Sequence, residues 1–358
     1  MHTSLAGRYA VQEDEYDVTY VYGAEASNDD LHARSISPLI RKCLEGYNVC
    51  VMLFGATGKH TGASGSGKTT TLEGSRGRDT RGSPDGDGLV HLAIDELFQL
   101  VHGKAVTVAE AVAKRRRMPA GMGFSFFVES SFVELHNEQC HDLYAKGSAG
   151  SLPVMEDVTE GYVVTGLSSR AAKNATELRS DFNNGRANRD TQLLDIGSVH
   201  ERSTAIFSIT LAQYAPAAVH GEEDRIMISK LLFVDLPGAE RLGMDAEVLR
   251  LREGLSLNKS LLGLGLVLRR LAQEGSAEFV GYGDAVLTQL LADALGGNCL
   301  TLMVGTVRQG DWAASSTTLK QLTTARGARN FPIINHSRAR GLMHKLRFRM
   351  MAIVVGRV

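Results

Sequence analysis

The chain has 358 residues, 43% of them hydrophobic and 22% charged, which is enough apolar material for one large domain or two smaller ones. A formal net charge of −1 supplies no overall field to attract nucleic acid or an anionic membrane surface. Four cysteines without C-x-x-C spacing, an N-terminus without an apolar signal core and no apolar run long enough to span a bilayer point to a soluble intracellular protein with reduced, buried thiols.

Taken in chain order, GYNVCVMLF (46–54) is expected as a buried strand feeding a glycine-rich loop. That loop contains GASGSGKT (62–69), a match to G-x-x-x-x-G-K-[ST]. Upstream, GATG (55–58) is a second start of the same pattern, because GATG joined directly to SGKT also fits. Both parses share Ser66, Gly67, Lys68 and Thr69. The contiguous one adds Gly62, Ala63, Ser64 and Gly65 and leaves 55–61 as a bulge on the strand side, at small entropic cost. In such a loop, backbone N–H groups turn inward around phosphate oxygens. Lys68 would reach the β/γ-phosphates and the Thr69 hydroxyl would bind Mg²⁺. The bland alternative is a Gly/Ser-rich linker that matches by chance.

After the loop, TTLEG is expected as a helix or turn. GLVHLAIDELFQLV (88–101) carries a helical apolar stripe. FSFFVESSFVELHN (124–137), HERSTAIFSITLAQY (200–214) and ISKLLFVDL (228–236) read as strands, SLNKSLLGLGLVLRRLAQ (256–273) and DAVLTQLLADALGG (284–297) as helices, CLTLMVGTV (299–307) as a strand and 315–330 as a last helix. The polar stretches 74–87, 102–123 and 145–151 are expected as surface loops. Strand–helix alternation predicts an α/β fold with a mostly parallel central sheet and helices on both faces, in one domain. LLFVDLPGAE (231–240) ends a hydrophobic strand in D-x-x-G, about 165 residues after the phosphate loop. There a carboxylate can hold a Mg²⁺-bound water and a glycine N–H can sense a γ-phosphate; otherwise Asp235 is a turn cap. Local charge is confined to Lys114–Arg117 and to 336–358, which holds six Lys/Arg and no acid; each is either a solvated segment or a contact for an acidic partner.

In order, these motifs resemble a kinesin motor domain. GYN, the phosphate loop and TTLEG resemble GYN…GQTGSGKTxTMxG; SFVELHNEQCHDLY (131–144) resembles S-x-x-E-I-Y-N-E-x-I-x-D-L-L; ERSTAIFSI (201–209) and VDLPGAERL (234–242) resemble the two switches. LNKSLLGLGLVLRRLA (257–272), YGDAVLTQLLADALGGN (282–298) and TLKQLTTARGARNFPIIN (318–335) complete the series, so that the resemblance spans about residues 16 to 335. It implies a P-loop NTPase fold. Residues 1–335 would form the motor domain with a neck linker at about 329–335, and 336–358 a basic extension. It implies ATP/ADP and Mg²⁺ as cofactors, microtubules as partner with neither nucleic acid nor direct membrane contact, a cytoplasmic, cytoskeletal location, and microtubule-stimulated ATP hydrolysis coupled to movement.

By position, the resemblance gives nucleotide contacts to Gly62–Thr69 and to Thr70, near the base. Mg²⁺ falls to Thr69 and, through water, Asp235. Arg202, Ser203, Asp235, Gly238 and Glu240 become the switch residues, with Arg202 and Glu240 as a latch, and Lys259 lies on a microtubule-facing helix. The chain departs from the pattern in four places. No R-x-R-P opening strand is present, and Glu201 replaces a switch serine. Pro237 and Ala239 stand in the second switch, and Gly283, Val286 and Gln289 replace basic residues on the track side. The alternative expectation is therefore a catalytically degenerate kinesin-fold module that binds nucleotide or microtubules without motility. A GTPase is disfavoured because NKSL (258–261) lacks the aspartate of N-K-x-D.

Overall fold

In the strand β1 (Val49–Gly55) every residue is buried, and its side chains divide the interior in two. Successive side chains of a strand point to opposite faces. Val49, Val51 and Leu53 accordingly join one apolar cluster, and Cys50, Met52 and Phe54 the other. The computed structural model describes residues 15–55, 66–74, 86–115, 124–145, 150–158, 160–196, 203–215, 225–238, 248–273, 280–308, 310 and 312–336.

The first cluster is closed by helices α1 (Asn28–Leu31), α2 (Ser37–Leu44), α4 (Leu89–Arg115) and α5 (Ala175–Ile196). A π-turn, His32–Ile36, joins α1 to α2 just before Pro38, whose missing N–H interrupts the regular ladder. The short helix α3 (Lys68–Glu73) lies between β1 and α4. The second cluster is closed by α6 (Val248–Ala272), α7 (Val286–Leu290) and α8 (Trp312–Gly327). All four cysteines are buried and unbridged; burial pushes the Cys43 thiol up to about 11 and those of Cys140 and Cys299 up to about 12.

The remaining strands are β2 (Ser125–His136), β3 (Gln139–Asp142), β4 (Val154–Asp157), β5 (Gly161–Val164), β6 (Arg170–Ala172), β7 (Thr204–Ala215), β8 (Arg225–Asp235) and β9 (Leu300–Thr306). The main sheet runs β3-β2-β7-β8-β1-β9, with β6 also on β2, and β4–β5 form a separate small pair. The sheet is mixed rather than mostly parallel: β1 is parallel to β8 and β9, whereas the β2–β3, β2–β6, β2–β7 and β7–β8 pairs are antiparallel. Connection length accounts for this. The link 216–224 is too short for a crossover helix, and β2 turns into β3 through Asn137 and Glu138, both at positive φ.

Two further expectations change. The helix expected to end at 101 continues to Arg115 through part of the supposed loop 102–123, where Ala105, Ala109, Ala111 and Ala113 favour helix. The helix expected over 284–297 is three pieces: a 3₁₀ turn Tyr282–Asp284, α7, and a second 3₁₀ turn Ala292–Ala294. Side chains capture its last carbonyls. Thr301 Oγ1 and Asn330 Nδ2 both donate to the Ala294 oxygen (2.7 and 2.9 Å), and the Tyr282 hydroxyl donates to Leu295.

His91 on α4 is buried against α5, with Nε2 3.1 Å from Asn183 Oδ1 and its ring edge-on to Phe182. Burial holds its pKa below the ordinary 6.5, against the opposing pull of Asn183, and burial also lowers His32 against the charge of Glu96. The unfolded chain therefore binds more protons than the folded one as pH falls through 6.5, and stability is lost in that direction. Urea denaturation is expected to show a lower midpoint at mildly acidic pH than at neutral pH, and His91→Gln should lessen the drop. An identical drop in the variant would remove His91 from the account.

Candidate functional site

Strand register sets one row across the sheet: Glu134 on β2 faces Ala205 on β7, which faces Asp235 on β8, which faces Leu53 on β1, which faces Val304 on β9. The carboxyl ends of the parallel strands β8 and β1 therefore open side by side, the usual place for a ligand in such sheets. The Leu236 N–H donates to the Leu53 carbonyl (3.1 Å), so the chain leaving β8 stays against β1 for one more residue.

Just beyond β1, Lys68 is 7% exposed and its Nζ donates to the Gly55 carbonyl at 2.6 Å. Ser66 Oγ and Thr306 Oγ1 are 2.8 Å apart. A Cβ on Gly55 would collide with Thr306 and come within 2.8 Å of Ser66 Oγ, so this glycine permits the close approach. Gly67 has φ +97° with open space around it; it is required by the backbone turn into α3, not by crowding. Thr69 is exposed. Thr70 is half-buried, and its carbonyl accepts from Asn28 Nδ2 (3.1 Å). Gly62, Ala63, Ser64 and Gly65 lie outside the described residues.

Beside this, Arg189 of α5 is 5% exposed and holds a fork of partners. Nε donates to Glu134 Oε1 (3.2 Å), Nη1 to Asp235 Oδ2 (3.1 Å), and Nη2 to the Ser203 carbonyl and hydroxyl (3.3 and 3.1 Å). Ser203 Oγ in turn donates to Glu134 Oε1 at 2.5 Å. Burial works against the cation, but the charges of Asp235, Glu134 and Glu73 outweigh it and the Arg189 pKa is raised. Asp235 is 8% exposed. One of its oxygens is held by Arg189, and the other, Oδ1, is buried with no hydrogen-bond partner among the described residues. A buried, unsatisfied carboxylate oxygen is costly. Next to the phosphate-loop lysine it fits a hydrated divalent cation, whose ligands are oxygens and water. Gly238 is buried just past β8; Arg202 and Glu240 lie outside the described residues.

Glu134 and Arg189 were not singled out by sequence reasoning. A carboxylate inside the apolar run FVELH is a signal for the first. The second sits on a helix whose inward stripe is Leu178, Phe182, Gly185 and Arg189, too little of it apolar to show as a period. Gly185 has no side chain because a Cβ there would strike the Phe132 ring.

Lys259 on α6 is far from this centre in role. Its side chain is 57% exposed and Nζ lies 3.5 Å from Glu138 Oε2. Glu138 also accepts from the Val286 N–H at the start of α7 (2.9 Å) and from the Ser260 hydroxyl. Leu262 and Leu266, on the same helix, are exposed.

At the opposite end of the sheet, residues 330–335 are bound to the body. Asn330 Nδ2 donates to the Cys299 carbonyl (2.8 Å) and its Oδ1 accepts from the Gly296 N–H (2.8 Å). The Ile333 N–H donates to Asn298 Oδ1 (2.8 Å), Asn298 Nδ2 to Asn335 Oδ1 (2.8 Å), and the Asn335 N–H to the Gly46 carbonyl (2.9 Å). Gly46 has φ +102°, and a Cβ there would lie 2.9 Å from Ile334.

The family model described as "Kinesin motor domain" matches residues 3–331. The chromosome-associated kinesin KIF4 of Xenopus laevis is 30% identical over 96% of this chain and 26% of its own length; the kinesin-like protein KIF21B of Mus musculus is 31% identical over 94% and 21%. The chain thus spans about a quarter or less of these relatives. Among solved structures, a KIF14 dimer described as bound to AMP-PNP and a microtubule has a TM-score of 0.71 at 30% identity, covering 90% of this chain and 82% of that one. A structure described as a fast kinesin has a TM-score of 0.73 at 25% identity, covering 92% and 85%.

Arg189→Met would leave two buried carboxylates without their cation. It is expected to cost roughly 3–5 kcal/mol of stability in urea denaturation, and adding Glu134→Gln should recover part of the loss. A cost within experimental error of zero would show that the fork is not the local organiser.

Proposed function

The chain belongs to the kinesin motor-domain family, and from that premise we propose that it is an ATP-driven microtubule motor core. The observation that carries this reading is the pair formed by Lys68 and Asp235 at adjoining strand ends: a buried amine on the Gly55 carbonyl, and a carboxylate with one oxygen fixed and one left over. Backbone N–H groups of Gly62–Gly67 would cradle the phosphates while Lys68 reaches the β/γ-phosphates and Thr70 lies toward the base. Thr69 and, through water, Asp235 would hold Mg²⁺, which when bound neutralises phosphate charge. The pinned oxygen keeps Asp235 from swinging away from that task. Gly238 would offer its N–H to the γ-phosphate, and Arg202 with Glu240 would latch the two switches while that phosphate is present. Ser203, held by Glu134 and Arg189, anchors the first switch to the sheet. Residues 329–335, bound across the far end of the same sheet, would act as the neck linker, and Lys259 would belong to the track-binding face.

A second reading, a kinesin-fold module without motility, is favoured by one feature. The only basic residue proposed for the track face is paired with Glu138, and its helix exposes Leu262 and Leu266.

Steady-state ATP turnover with and without polymerised microtubules separates the two. Strong stimulation, abolished by Lys68→Ala, is expected for a motor core. Glu240→Ala should bind ATP and turn over little, since Arg202 then has no latch partner. Turnover that microtubules do not raise, or that Lys68→Ala leaves intact, would sink the motor reading and leave the binding module.

A further inference from the structure

Thr306 is the last residue of β9, and its register partner on β1 is Gly55. Its surroundings leave it little room. A Cβ on Gly305, the residue before it, would strike Leu322 of α8, so the end of β9 is pressed onto that helix. A Cβ on Gly55 would strike Thr306 itself. The turn beyond is closed by Ser315, whose hydroxyl accepts from the Arg308 N–H (3.2 Å) and donates to the Arg308 carbonyl (3.0 Å). Thr306 is thus held by a strand on one side, a helix beneath and a closed turn behind, and side chains in such close-packed settings keep one position.

Its hydroxyl meets Ser66, with the two side-chain oxygens 2.8 Å apart. Ser66 precedes Gly67, whose φ of +97° turns the chain into α3, and Lys68 is the first residue of that helix. Fixing Ser66 therefore fixes the direction in which Lys68 leaves the loop. Residues 56–65 come before Ser66, a longer connection than the joined pattern GATGSGKT would need, and added length by itself defines the far end of a loop less tightly. The Lys68 ammonium also ties this end to β1 through the Gly55 carbonyl. That hold loosens when the ammonium turns to phosphate, whereas the hydroxyl pair is not called on in the exchange. We propose that Thr306 is a positioning residue for the phosphate loop: its hydroxyl holds Ser66, and through Ser66 and Gly67 it sets where Lys68 stands when a nucleotide phosphate arrives. The inference rests on the phosphate-loop reading given above and adds to it a residue from a third strand.

Equilibrium titration of the 358-residue chain with Mg·ATP tests this, with urea denaturation run beside it. Thr306→Val keeps the shape and removes the hydroxyl. It is expected to weaken the affinity about three- to tenfold, the worth of one hydrogen bond, and Thr306→Ser should restore most of it. Ser66→Ala should cost as much as Thr306→Val. The two changes together should cost no more than either alone, because each already breaks the one contact. The proposal is overturned if Thr306→Val binds Mg·ATP as the parent chain does while Lys68→Ala binds weakly, or if the two losses multiply in the double variant. A hydroxyl that only stabilised the fold would lower the urea midpoint and leave the affinity alone, which also overturns it. If Lys68→Ala itself leaves the affinity unchanged, the phosphate-loop reading fails first and takes this inference with it.

Discussion

Arg189 brings one positive charge into a space that also holds the carboxylates of Glu134 and Asp235. A guanidinium taken out of water must be met by acceptors in its own plane, and here they come from β2, β8 and the residue before β7. The ion therefore ties α5 to three chain segments at one end of the sheet. It also leaves a charge imbalance, since two carboxylates surround one cation. The oxygen of Asp235 without a partner is where the excess lies, and the Lys68 ammonium and a divalent metal ion are the cations that would balance it. The α5–α3 contact adds to the frame: Arg186 Nε and Glu73 Oε2 approach to 2.9 Å, an ion pair by distance whose angle is not that of a hydrogen bond.

The doubled phosphate-loop pattern is compatible with this frame because of what holds its two ends. Gly55 accepts from Lys68, and Ser66 meets Thr306 on the neighbouring strand. Gly55 and Ser66, which flank 56–65, thus lie side by side, close enough that a Cβ on Gly55 would come within 2.8 Å of Ser66 Oγ. Once ends are pinned, extra length costs little, because closure entropy rises only with the logarithm of loop length. An insertion here changes the loop's content more than it changes the position of the lysine.

Much of this was legible in the sequence. The glycine-rich loop after a buried strand and D-x-x-G at a second strand's end pointed to Lys68 and Asp235, which the fold brings to adjoining strand ends. Pairing was not legible in the same way. β1 is buried on both faces and shows no alternation, so nothing in its residues tells which neighbours are parallel. Arg189 was hidden because its helix faces inward with a glycine and an arginine among its four contact residues. The break in 284–297 depended on Thr301 and Asn330, distant in sequence, which take carbonyls that an isolated helix would keep for itself.

Asn298, Asn330 and Asn335, together with Asn48, whose Nδ2 donates to the Asn298 carbonyl at 3.2 Å, make the clasp that holds 330–335. It is built from neutral amides. Ionic strength has no charge there to screen, and no group in it gains or loses a proton near neutrality. Whatever frees that segment must act by geometry, turning an amide away from its partner so that water takes the place. The hold on 330–335 is thus insulated from salt and acidity and answers to displacement of the strands and turns that carry those four side chains.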